Sequence, residues 1–210
     1  TVSGNTMHHA YNYGGGGHGY GVQVSSAVSD CLIEDNIFYH LRHSMLIQLG
    51  ANGNVFAYNY SYDRHNLTDI SIHGHFSYMN LFEGNVVEEA VYADYWGPTG
   101  PQTTMFRNRV KHWVRISDAS QQANVVGNTI EGILGITVLP TVSDALVEYN
   151  LVAGKLKTTQ QDVALPPSLW RQGKPSYWGQ RPWPCTGADV DQSSGTTPCE
   201  IPAQTRAKAP

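Results

Sequence analysis

Short runs in which apolar and polar residues alternate punctuate the chain: GVQVS (21–25), SMLIQL (44–49), DISIH (69–73), VYADY (91–95), WVRIS (113–117) and GITVL (135–139). Alternation with period two is the pattern of a strand that buries one face. About fourteen residues after each run comes an asparagine, in the series Asn5, Asn36, Asn59, Asn85, Asn108, Asn128 and Asn150, at intervals of 31, 23, 26, 23, 20 and 22. Three residues before every one stands a large apolar residue: Val2, Ile33, Phe56, Phe82, Met105, Val125 and Val147. Two residues after come Met7, Phe38, Val87, Val110, Ile130 and Val152, with Ser61 alone out of line. Turn formers such as Gly50-Ala51-Asn52-Gly53 and Gly97-Pro98-Thr99-Gly100-Pro101 separate the strands. No helical period spans a repeat.

A repeat of strand, turn, strand, turn at about 23 residues predicts an all-β solenoid, a right-handed parallel β-helix. It has six to seven coils over residues 1–157, each strand hydrogen-bonded to its equivalent ~4.8 Å along the axis. The recurrent asparagine is expected to take left-handed dihedrals at a tight turn and to bond the amides above and below it, a structural ladder rather than a catalytic set. A β-sandwich predicts hairpin turns and no constant phase. Beyond Lys157 lie eight of the eleven prolines and three of the five tryptophans, so 158–210 is expected to be an extended tail packed on the β-helix and shielding an edge. Val2–Met7 reads as a coil strand with nothing before it, so either upstream sequence covers the open end or residues 8–20 fold back over it.

Composition narrows the partners. Only 14 % of residues are charged and the net charge is −4, which argues against a nucleic-acid partner. No apolar run reaches the ~18 residues of a membrane span. The chain starts at Thr1 without a charged-then-apolar leader, as a processed product or fragment would. A Cys185–Cys199 bridge would staple the tail and place the protein outside the cytosol, whereas Cys31 sits in an apolar strand as a small hydrophobe.

The chemistry concentrates on one sheet. Alternation turns Val114 and Ile116 inward and Arg115 and Ser117 outward; in VYADY it turns Val91 and Ala93 in and Tyr92 and Asp94 out; in DISIH it leaves Asp69, Ser71 and His73 outward, with His75 following. All nine histidines fall within the first 112 residues, and aligning the coils on the asparagines places His43, Asp69 and His112 in one column with His18 near it. Three chemistries fit. Arg115 or a histidine such as His73 could remove a proton α to a uronate carboxylate, with Asp94 assisting and His43, His75, His112 and Tyr20 contacting substrate. Asp94 with Asp69, Glu88 or Glu89 could form a glycosidase carboxylate pair. His73 and His75 with Asp94 or His43 could hold a divalent metal ion. The alternative without function is an Asp94–Arg115 surface ion pair beside solvated histidines. The YNYGGGGHGYG run lacks the Lys-Ser/Thr of a phosphate loop and is expected to be a mobile loop whose Tyr11, Tyr13 and Tyr20 stack on sugars. Of two glycosylation patterns, at Asn59 and Asn66, only the second lies off the ladder.

The segments CLIEDNIFYHLRHSMLIQLGANGNVFAYNYS, HGHFSYMNLFEGNVVE, GPTGPQTTMFRNRV and PSYWGQRPWP resemble secreted bacterial right-handed β-helix proteins and, more distantly, the pectate-lyase-like superfamily. The resemblance implies the fold, a secreted location and a polysaccharide partner. Lyases of that superfamily use an arginine base beside aspartate-bound calcium; Arg115 matches the arginine, while the aspartate cluster has no counterpart around Asp94. The superfamily also contains non-catalytic surface proteins, for which the open N-terminal coil would serve self-association.

Overall fold

The computed structural model describes residues 1–160, 163–193 and 198–208. It is an all-β parallel solenoid of about six turns. One sheet contains seven parallel strands in chain order: Val2–Ser3, Leu32–Glu34, Val55–Ala57, Leu81–Glu83, Thr104–Phe106, Asn124–Val126 and Leu146–Glu148. The apolar residues three before each asparagine stack on one another in that sheet, Val2 on Ile33, Phe56, Phe82, Met105, Val125 and Val147. Phe56 and Phe82 lie ring on ring at 4.9 Å. The remaining strands form a second sheet that bends around the core, and its final pair, Asn150–Val152 with Lys155–Lys157, is antiparallel.

Each asparagine sits at the corner between the two sheets, so a turn carries a strand before the corner, one after it, and a third across the core. The side-chain amides join in a continuous ladder, each Nδ2 donating to the next Oδ1 at 2.9–3.0 Å from Asn5 to Asn150. The second amide hydrogen goes to the carbonyl of the stacked apolar residue one coil back: Val2, Ile33, Phe56, Phe82, Met105 and Val125. From Asn36 to Asn128 every donor and acceptor of these buried amides is thereby used. The left-handed dihedrals expected of the asparagines belong instead to the residue before each: Gly4, Asp35, Tyr58, Gly84, Arg107, Gly127 and Tyr149, at φ of 54–71°. A second, shorter ladder joins Asn54 to Asn80, which lie five residues before Asn59 and Asn85.

At the ladder's corners the side chains of Asp35, Tyr58 and Arg107 receive the C-terminal segment. Trp178 packs edge-on against Tyr58 at 4.9 Å, Arg107 grips both carboxylate oxygens of Asp189 at 2.6 and 2.8 Å, and Arg206 does the same to Asp35. Arg109 donates to the Cys199 carbonyl, and Cys185 and Cys199 are joined by a disulfide. This segment carries two short helices, Ala188–Ser193 and Pro202–Ala207, rather than being extended throughout.

In the third strand position, the inward columns run Val22–Met45–Ile70–Ala90–Val114–Ile136 and Val24–Ile47–Ile72–Tyr92–Ile116–Val138. Two expectations of facing are therefore corrected. Tyr92 is inward and fully buried while Val91 faces outward, because the strand Val86–Tyr92 carries a bulge between Val87 and Glu89 that shifts its phase. Ser117 turns in rather than out, its hydroxyl donating to the carbonyls of Tyr92 and Ala93 at 3.1 and 2.5 Å.

Candidate functional site

Between the bulge and the following turn, Ala93 adopts φ 58°, which breaks the alternation and presents Asp94 on the outer face. One coil earlier, His73 follows directly on the strand Ile70–Ile72, its own N–H held by the Ile47 carbonyl. The two side chains meet: His73 Nδ1 lies 2.5 Å from Asp94 Oδ2, and the Ser71 hydroxyl donates to the same oxygen at 2.7 Å. Burial pushes the Asp94 carboxyl up, but the hydrogen bonds from His73 and Ser71, the His73 charge and the Tyr95 N–H outweigh it and hold it below its ordinary value. A carboxylate in this position fixes a proton on Nδ1, and in the neutral ring Nε2 carries the lone pair.

A coil further back, His43 opens the strand His43–Ile47 and is 2 % exposed. Its Nδ1 lies 2.7 Å from the Thr68 carbonyl, which can only accept, so Nδ1 carries the hydrogen. Nε2 therefore holds a lone pair, and it is buried with no hydrogen-bond partner. Burial drives this imidazole down to about 4, against the opposing pull of the Thr68 carbonyl and Asp94, so it is neutral at ordinary pH. The His43 and His73 rings are 5.9 Å apart and Tyr20 stands 5.2 Å from His43.

These groups line a cavity of about 750 Å³ whose walls include Gly15–Gly17, Arg42, Gln23, Gln48, Tyr95 and Trp96. A smaller cavity of about 220 Å³ shares His43 and Asp94 and is lined also by Trp113 and Arg115. Arg115 is exposed, in the outward column with Val91 and Ser71, and forms no ion pair with Asp94. His75 stacks on Trp96 at 5.5 Å with φ 53° and lines the larger cavity too, but it lies outside the His43–His73–Asp94 group. His112 lies apart, with Nδ1 3.2 Å from a Glu89 carboxylate that Arg64 also holds.

The expected column of His43, Asp69 and His112 is not formed. Asp69 is fully buried, accepting from Ser61 and from the backbone N–H groups of Glu88 and Glu89. The glycine-rich loop lies beside the groove as expected, with Gly15–Gly17 and Tyr20 on the cavity wall, and does not cover the open coil end. Tyr13 stacks on His65 at 4.1 Å and donates to the His40 carbonyl, so the loop lies along the sheet. The open coil end is lined by Thr1, Val2 and Val22 instead.

Arg42, Gln23, Gln48 and Trp96 were not singled out by spacing. Their signal is position: Arg42 and Gln48 flank the strand His43–Ile47, Trp96 follows Asp94 by two residues, and Gln23 lies in the strand Tyr20–Val24 one coil before His43. No family model, curated protein or solved structure matches the chain.

Proposed function

We propose that the protein binds an acidic polysaccharide along the outer face of the second sheet and cleaves it by β-elimination. The observation that carries this reading is the His73–Asp94 contact on the wall of an open cavity. A β-solenoid is consistent with polysaccharide binding, and Tyr95 and Trp96 offer aromatic faces for sugar rings. His73 Nε2 takes the proton α to the uronate carboxylate. The freed electron pair forms the new carbon–carbon double bond, and the glycosidic oxygen departs with a proton from the Tyr20 hydroxyl. Arg42 and Arg115 neutralise the carboxylate as negative charge builds on it. Arginine keeps its proton throughout the working pH range, so it serves here as counter-ion and the imidazole as base.

Hydrolysis by two carboxylates is less well supported. Among the described residues Asp94 is the one carboxylate lining the larger cavity, while Asp69 is buried and Glu88 and Glu89 are tied to Lys111 and Arg64. The Cys185–Cys199 disulfide supports a place of action outside the cytosol.

Incubation with a panel of uronate and neutral polysaccharides tests the proposal, reading both the ultraviolet absorbance of unsaturated uronate and new reducing ends. Absorbance should rise with the wild type and fall by about 10²–10⁴-fold in His73→Ala. Reducing ends without absorbance would replace elimination by hydrolysis. Silence in both from a folded protein would leave a non-catalytic surface protein.

A further inference from the structure

We infer that His43, His73 and Asp94 form a binding site for a divalent transition-metal ion of the zinc class. One ligand atom from each lies within 4.8 Å of the others. The three come from successive coils, so their spacing is set by the solenoid itself. His43 supplies an independent indication. It is 2 % exposed, its Nε2 lone pair has no partner among the described residues, and it lines both cavities. A buried polar atom left unpaired is costly, and an ion at this position removes the cost.

The far side of the ring is already arranged for such a role. Nδ1–H donates to the Thr68 carbonyl, which fixes the tautomer and ring plane in the way that metal-binding histidines are oriented by their outer partners. Two imidazoles and one carboxylate suit a zinc-class ion, not calcium, which asks for six to eight oxygens. Three protein ligands leave a further coordination position toward the cavity.

Metal binding stands on these residues alone. One consequence rests on the elimination proposed above: Asp94 meets His73 at Nδ1, so an ion held by both takes Nδ1 and leaves the ring hydrogen on Nε2, which removes the base and holds the loaded protein inactive.

Chelator-treated protein titrated with Zn²⁺ by calorimetry and with Co²⁺ by visible absorbance tests the site. One ion per chain is expected, with Co²⁺ bands of four- or five-coordination. Affinity should fall at least about tenfold in His43→Gln, and likewise in His73→Gln and Asp94→Asn, each confirmed as folded by circular dichroism. His112→Gln should bind as the wild type does. Undiminished binding in all three ligand variants, or no saturable binding by the wild type, would overturn the inference. Zinc binding by a protein whose metal-free form cleaves no glycan would sink the elimination and keep the site. Cleavage indifferent to added Zn²⁺ would remove the inhibitory consequence.

Discussion

The Ser61 hydroxyl donates a 2.6 Å hydrogen bond to Oδ1 of the fully buried Asp69. Ser61 is the residue that breaks the apolar series two places after the ladder asparagines. Its exception has a partner: the other Asp69 oxygen accepts the N–H groups of Glu88 and Glu89 at 2.9 and 2.8 Å, on the bulged strand. The bulge sets the phase that carries Tyr92 inward, ahead of the left-handed Ala93 that brings out Asp94. A carboxylate in the core thus supports the site from behind.

Asp69 should give stability a measurable pH dependence. Burial raises it from 3.8 to about 6, with Ser61 and the Glu88 and Glu89 N–H groups pulling the other way. Because the folded value is raised, its favourable contribution is complete below the unfolded value and is lost as pH rises through about 6. Urea unfolding from pH 4 to pH 7 should show the wild type losing roughly 2 kcal/mol relative to Asp69→Asn. A constant difference between the two across this range would contradict the assignment.

The ladder should be weakest at its exposed end. Asn85→Ala leaves the Asn59 amide and N–H without their acceptor inside the core, at a cost of about 3 kcal/mol. Asn5→Ala, at the exposed first coil, should cost less than about 1 kcal/mol. Equal midpoints in denaturant would show that the stacked amides add nothing.

Gly74 holds the HGH turn against the next coil. At φ 72°, a Cβ there would lie 2.3 Å from the Gly97 carbonyl oxygen and 2.7 Å from that of Trp96. Gly74→Ala should destabilise by about 2 kcal/mol and separate His75 from Trp96, read as a change in tryptophan emission. Unchanged emission and stability would mean that this contact does not fix the turn.

The disulfide fastens the C-terminal segment whose carbonyls receive Arg109. A bridge closing a loop of 14 residues contributes about 3 kcal/mol, so Cys185→Ser/Cys199→Ser should unfold at correspondingly lower denaturant. The solenoid's circular dichroism should persist. Its loss would show that the coils depend on this segment to fold.

The solenoid and its asparagine ladder were legible in the chain because a stacked coil must place the same residue type at the same height in every turn. Seven asparagines with one apolar offset therefore report the hydrogen bonds directly. Asn54 and Asn80 carried the same signal in a shorter series. Facing across the site was not legible. Simple alternation turns Tyr92 outward; the bulge after Val87, where the Glu88 and Glu89 N–H groups bond a distant Asp69, reverses this, and the left-handed Ala93 then brings out Asp94. Asp94, His73 and Arg115 could be assigned to one sheet from spacing. That His73 pairs with Asp94, that His43 completes the group and that His75 and His112 stand outside it was decided by how three coils settle on one another.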